Sequence, residues 1–452
     1  MNTFARRHRA VMPAVFLAVL ACFSPLHLSA TTVVVTPPNT TACVSGLTVY
    51  NTIQSAVNAV KSVAGSKVEI CPGTYAEQVV IKQSVSLIGE STGGSNGSGA
   101  TGANNPVVVS PTGGVLANAK DLYTSQPIAA QIAVLALGGT VNVENIAVDG
   151  SNNGLSGCAT NLVGILYQNA GGTVEHVVTR YQELDQADFG CQDGLAIFAQ
   201  STSEVPVITI EDSSVHDYDK NGITAVGPMS VTISGNYVVG IGATSLIAQN
   251  GIQVSNGAFG KVQSNTVTDD VYINPANCGT GCYGSSGILL YDTGGASTSP
   301  LTISMNTVSN TQLPIVAYGD SAGTADWNTV SSNKVTYAPA AGTYLDDGID
   351  LCSNNNMATS NTVYGATGSG LHIDSSCTES TGQSGNNTTV TNTTVNEACA
   401  GILLGSGTGN TVSGTVTYNV VQTSYAGDSC PAGAPEGAGK ATEKLKPQPH
   451  RQ

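Results

Sequence analysis

Val262-Gln-Ser-Asn265-Thr-Val267, Ile303-Ser-Met-Asn306-Thr-Val308 and Val330-Ser-Ser-Asn333-Lys-Val335 are one pattern written three times. Two aliphatics five apart enclose an asparagine, and Val390 with Val395 continue the series. A second element alternates with it: glycine, then Ile or Leu, then alternating apolar residues. It stands at Gly164-Ile165, Gly194-Leu195, Gly222-Ile223, Gly251-Ile252, Gly287-Ile288, Gly348-Ile349, Gly370-Leu371 and Gly401-Ile402, with Pro314-Ile315 filling the gap. Successive copies lie 22 to 36 residues apart, a period that marks stacked repeats. No helical period runs inside a repeat, which excludes helical solenoids. Short strands with Asn or Gly at the corners, where left-handed backbone angles are needed, fit a parallel β-helix. Stacked coils also let the asparagines bond one another in a ladder, and Asn387 and Asn392 read as further ladder residues. A propeller needs hairpin signals and more aromatics, and aromatics are only 5% of this chain. The expected fold is all-β, a single-stranded right-handed parallel β-helix.

Upstream, Asn51 to Val63 reads as one helix. Ile53, Ala56, Val57 and Val60 share a face, Asn51 with Gln54 resembles a capping box, and Gly65 stops the run. An open stack of parallel strands needs a plug at its first coil, and this helix fits that place. Short strands follow at Val68–Ile70, Val79–Ile81 and Val85–Ile88. Residues 91–125 are rich in Gly, Ser and Asn and read as a long loop. The expected organisation is an export signal over 1–30, an N-terminal segment with the capping helix over 31–65, the β-helix over 66–425 and a disordered tail over 426–452.

Arg6, Arg7 and Arg9 followed by the apolar stretch Val11–Ala21 form the signal, and Val19-Leu20-Ala21-Cys22 resembles a lipoprotein box, an alternative lipid anchor. No later apolar run has the ~20 residues of a membrane span. The compartment expected is therefore secreted, periplasmic or cell-surface. Lys and Arg number 15 against 30 Asp and Glu, a net charge of −15, so nucleic acid and anionic membrane are not expected partners. Without Cys22 ten cysteines remain, and nearest-neighbour pairing gives Cys43–Cys71, Cys158–Cys191, Cys278–Cys282, Cys352–Cys377 and Cys399–Cys430. A zinc site at Cys278 and Cys282 would need two more ligands close by.

Tyr50-x-Thr52-Ile53-Gln54-x-Ala56-Val57, then Val68-x-Ile70-x-Pro72-Gly73-x-Tyr75-x-Glu77-x-Val79-x-Ile81 and Leu87-Ile88-Gly89, resemble the opening of the pectinesterase family. The later repeats resemble those of the pectin-lyase-like superfamily. The resemblance implies the β-helix fold and carbohydrate chemistry. It does not extend to the pectinesterase catalytic stretches: Asp188-Phe189-Gly190 lacks two residues, and Trp327 has no Arg-Pro before it. Asp346-Asp347-Gly348-Ile349-Asp350 loosely matches the Asp-Asp pair of polygalacturonases, without their Gly-His-Gly. The basic residue of calcium-dependent pectate lyases leaves Arg180 as a counterpart.

Stacking converts sequence offsets into columns about 4.8 Å apart. The position after the second aliphatic reads Asp149, Arg180, His216, Val239, Thr268, Ser309, Thr336, Tyr364, Asn396. An acid, a guanidinium and an imidazole then stand in line on three coils, with Asp217 and Asp269 beside them and Glu183, Asp185, Asp188 and Asp193 in nearby inserts. Arg180 or His216 would serve as base or as clamp on a sugar carboxylate. Asp188, Asp217 and Asp269 supply hard oxygen ligands for Ca²⁺. The plainer reading is an ion-pair ladder between Arg180 and Asp149 or Asp185. A one-residue slip in Val174–Val178 would point Arg180 elsewhere. A second patch gathers Asp350 and His372 in the outward position after Gly-Ile, with Asp346, Asp347 and Asp374 near, the parts of acid–base glycoside hydrolysis. Tyr167, Tyr181, Tyr218, Tyr283 and Tyr291 are candidates to stack on sugar rings. Two functions follow: a lyase or hydrolase of acidic, pectin-like polysaccharide, or a non-catalytic surface β-helix that binds glycans or proteins.

Overall fold

The computed structural model describes residues 29–91, 101–136, 138–191, 193–273, 282–319, 326–336, 347–366, 368–373, 385–404, 407–422 and 445–447. The signal expected over 1–30 lies almost wholly outside them. Each turn of chain lays down three short strands, and successive turns pair in parallel. One sheet of 14 strands forms the first face of the solenoid, and a sheet of 23 strands bends round a corner to form the second and third. The chain is a right-handed parallel β-helix.

The repeats set the register. Ile165, Ile197, Ile223, Ile252, Ile288, Ile315, Ile349, Leu371 and Ile402 are successive partners on the third face, and all point into one continuous core. One copy differs from expectation. Ala196-Ile197 occupies the slot assigned to Gly194-Leu195. Gly194 instead turns the corner before it with φ +86, where an added Cβ would lie 2.5 Å from Asp219 Cβ.

The asparagine ladder is present as Asn236, Asn265, Asn306, Asn333 and Asn361. In each step the lower backbone N–H and side-chain amide donate to the next Oδ1 at 2.9–3.0 Å. Each Nδ2 also donates to a backbone carbonyl, as Asn265 does to Ile233 at 3.0 Å. This satisfies corner groups that no sheet can reach. Asn387 and Asn392 are not in this ladder. They sit at left-handed corners, φ 56 and 51, and Asn387 donates to Asn355 at the surface.

Helix α1 is shorter than the apolar period predicts, Ile53–Ala59, and its cap is Thr52 rather than Asn51. Glu77 takes the first two helical N–H groups, Ile53 and Gln54, at 2.7 and 3.0 Å, while Gln83 bonds the carbonyls of Val57 and Val60. Side chains from the next coil thus satisfy both ends and fix the length. Ile53, Ala56 and Val57 join the core. Strand Thr32–Val35 already pairs with Lys67–Ile70, so the sheet begins before the helix. The expected loop 91–125 contains strand Pro106–Val109, partnered on both sides. Its later part lies over the outer side of the third face, with Tyr123 packed on the cluster of Leu166, Phe198 and Val226. Of the tail, Leu445–Pro447 forms a parallel pairing with Cys282–Gly284, using backbone groups that a strand edge leaves open.

Cys43–Cys71 and Cys158–Cys191 are bonded. Cys352 is also in a disulfide, and Cys377, its proposed partner, lies outside the described residues. The remaining proposed pairs, Cys278–Cys282 and Cys399–Cys430, each include a residue outside them too. No described helix is long and apolar enough to cross a membrane.

Candidate functional site

Three strands of the second face, Ala147–Asp149, Val178–Arg180 and Ser214–His216, carry the proposed line. Asp149 partners Arg180, and Thr179 partners Val215, which sets His216 beside Arg180 on the next coil. The column continues through Val239, Thr268, Ser309, Thr336, Tyr364 and Asn396 as the spacing predicts. The slip does not occur, because Thr179 fills the inward slot that Val148 and Val215 hold on neighbouring coils. Its hydroxyl is fully buried and has no hydrogen-bond partner among the described residues.

Arg180 Nε donates to Asp149 Oδ2 at 2.7 Å, and these side chains are only 15% and 10% exposed. The guanidinium carbon lies 6.0 Å from the centroid of the Tyr181 ring, which is itself exposed. His216 Nδ1 lies 2.7 Å from Asp217 Oδ2. Its Nε2 is buried and has no partner among the described residues. Burial first, and then the Asp217 charge, raise the Glu183 carboxyl above its usual range, with His216 opposing.

Below this line lies a layer of which the sequence reading named only Tyr218. Tyr218, Asp219, Lys220 and Asp270 are all fully buried at the corner between the second and third faces. Burial, then Glu183 and Asp193, push Asp219 up to about 9. Burial lowers Lys220 to about 7, and its Nζ donates to Ala248 O at 2.5 Å. Tyr218 Oη donates to Asp270 Oδ1 at 2.6 Å. The signal was visible: Asp217-Tyr-Asp219-Lys220 concentrates charge in a chain with only 10% charged residues. Tyr218 is thus a buried hydrogen-bond donor and no sugar platform. Tyr167 is likewise inside, bonding Val141 O at 2.8 Å. Tyr291 stacks on Tyr318 with centroids 5.2 Å apart.

The proposed calcium ligands are spread out. Asp188, on the 3₁₀ turn Gln186–Cys191, accepts from Gly157 N at 2.7 Å. Asp217 and Asp269 occupy left-handed corners two coils apart, about 10 Å by the strand spacing, and Asp269 is engaged by Asn310 and Thr268. These three do not converge into one ligand set.

The second patch is assembled but covered. Asp350 partners His372, and both project outward as expected. Both are buried, and the outer file they join is apolar before them: Leu289 and Val316 precede Asp350 in it, and with Tyr318 and Cys352 they form a cluster of their own. Asp347 Oδ2 lies 2.9 Å from His372 Nδ1. Asp346 and Asp374 lie outside the described residues. A groove of about 450 Å³ opens on the first face instead, lined by residues including Gly172, Thr173, Val205, Val207 and Glu204.

The sequence matches no protein-family model and no curated protein. Among solved structures, the GH136 lacto-N-biosidase from Eubacterium ramulus is 11% identical with a TM-score of 0.53, over 86% of this chain and 67% of that one. The A-module of the mannuronan C-5 epimerase AlgE4 from Azotobacter vinelandii is 13% identical, TM-score 0.47, over 82% and 92%. The periplasmic alginate epimerase AlgG is 13% identical, TM-score 0.39, over 82% and 83%. Such identities speak for architecture alone, and the architecture shared is the right-handed parallel β-helix.

Proposed function

We propose that this exported protein acts on an acidic polysaccharide at the second-face line Asp149, Arg180, His216 and Asp217, as a lyase. The observation that carries the reading is the one-coil step between Arg180 and His216, which sets a carboxylate clamp beside an imidazole. A guanidinium recognises a uronate carboxylate with paired N–H donors, and Asp149 holds it in place. Neutralising that carboxylate makes the C5 proton acidic enough for a base to remove. The electron pair then forms the C4–C5 double bond as the C4–oxygen bond breaks, and the departing oxygen takes up a proton from water. Asp217 at Nδ1 orients His216 so that Nε2 is the proton acceptor. That nitrogen is covered in the unliganded chain, so substrate has to open the face to reach it. The acidic chain repels a polyanion, and added Ca²⁺ would bridge the two through Asp217, Asp188 or Asp269 singly. Two disulfides fit an oxidising compartment, and the lacto-N-biosidase that shares the fold is compatible with a glycan ligand.

The test is ultraviolet absorbance of unsaturated product across a panel of uronate polysaccharides, each with Ca²⁺ and with chelator. A rise that disappears in Arg180→Ala supports the lyase. A flat trace from folded protein removes it. The second reading, a glycan-binding surface without turnover, is favoured by the direct Arg180–Asp149 bond and the covered Nε2. It predicts retention in polysaccharide-loaded gels, lost in Arg180→Ala, with no product formed.

A further inference from the structure

Asp347, Asp350 and His372 lie on the third face in later coils, away from the Arg180 line. Strands Ile349–Leu351 and Ser369–Ile373 are adjacent, with Asp350 opposite His372. Ile349, Leu351, Leu371 and Ile373 point into the core, so the two polar side chains share the other side. Exposure is 5% for Asp347, 0% for Asp350 and 3% for His372. One ligand-type atom from each lies within 4.8 Å of the other two.

The arrangement around Asp347 is that of an oriented ligand. Its Oδ1 accepts from the Ser369 backbone N–H at 2.7 Å and from the Ser369 hydroxyl, which turns Oδ2 toward His372. Metal-binding carboxylates are characteristically held by such outer hydrogen bonds. Zn²⁺ bonds of about 2.1 Å at tetrahedral angles put neighbouring donors about 3.4 Å apart, so Oδ2 and Nδ1, in direct contact at 2.9 Å, need to part by only about half an ångström to take an ion between them. The Cys352 sulfur lies 3.2 Å from Asp350 Oδ1 but is bound in a disulfide, so it is no thiolate ligand. A comparable set, Glu175, His176 and Asp212, faces solvent at a corner of the first face, where water competes for an ion.

We propose that Asp347, Asp350 and His372 form a binding site for one first-row divalent transition metal of the Zn²⁺ type, tying coil 347–351 to coil 369–373. Mixed imidazole and carboxylate donors select such ions over Ca²⁺ and Mg²⁺. The site stands independently of the polysaccharide reading.

Chelator-stripped full chain, titrated calorimetrically with ZnCl₂ alone, should take up one saturable equivalent that raises the unfolding temperature. Asp350→Asn and His372→Gln should each weaken uptake at least tenfold, while Arg180→Ala and Asp212→Asn leave it unchanged. Absence of saturable uptake, or equal uptake in Asp350→Asn and His372→Gln, overturns the proposal. A second measurement does not depend on those variants folding. Cu²⁺ bound to the His176→Gln chain should show paramagnetic coupling to an imidazole nitrogen, and an oxygen-only spectrum would refute the site.

Discussion

Arg180 Nε donates to Asp149 Oδ2 at 2.7 Å across a single coil step, joining two charges that are almost withdrawn from solvent. Removing either partner leaves the other's charge without its mate. Asp149→Asn should therefore destabilise the chain by about 3 kcal/mol, read from urea unfolding. Under the lyase reading it also loses activity, because the guanidinium is no longer aimed.

The corner carboxyl of Asp219 gives a stability profile with a definite sign. Its unfolded value is 3.8 and its folded value about 9, so between these the native state holds a proton that the unfolded chain has released. Stability contributed by the neutral acid is present at low pH and falls as pH rises through that window. Lys220 works oppositely. Its pKa is lowered from 10.5 to about 7, so it adds stability as pH rises between these values. Asp219→Asn should flatten the decline between about pH 4 and 7, where Lys220 does not oppose it. Thermal unfolding across pH checks this, and an unchanged slope in the variant would show that Asp219 is ionised in the folded chain.

The Asn265 side chain accepts two bonds from Asn236 and donates two, to the Ile233 carbonyl and to Asn306 Oδ1. Asn265→Ala strands several buried groups at once and should cost about 3 kcal/mol. Asn265→Asp should be no milder, since a carboxylate cannot donate to the Ile233 carbonyl or to Asn306 Oδ1. Both are measured by chemical unfolding beside Asn387→Ala, a surface corner expected to change little.

Cys43–Cys71 closes a loop with a sequence separation of 28 around α1. Cys43→Ser with Cys71→Ser should lower stability by about 3 kcal/mol. Hydrogen exchange should show the loss concentrated in the first coil, because each coil contacts only its neighbours.

The period of the aliphatic pairs and of the Gly-Ile elements was enough to determine the fold, the register of the second-face column and the asparagine ladder at Asn265, Asn306 and Asn333, though not to exclude Asn387 and Asn392 from it. These follow from local rules: alternation sets which side chains point inward, and corners select Asn and Gly. Arg180 and His216 could be aligned from sequence because the same spacing repeats on every coil. What lies over a face could not be read, because inserts have no period. Asp350 and His372, correctly placed outward, are nonetheless buried, and Tyr218 turns inward onto Asp270. Whether a polar side chain is open or buried depends on segments distant in sequence, such as residues 113–126 over Phe198, and only tertiary packing decides it.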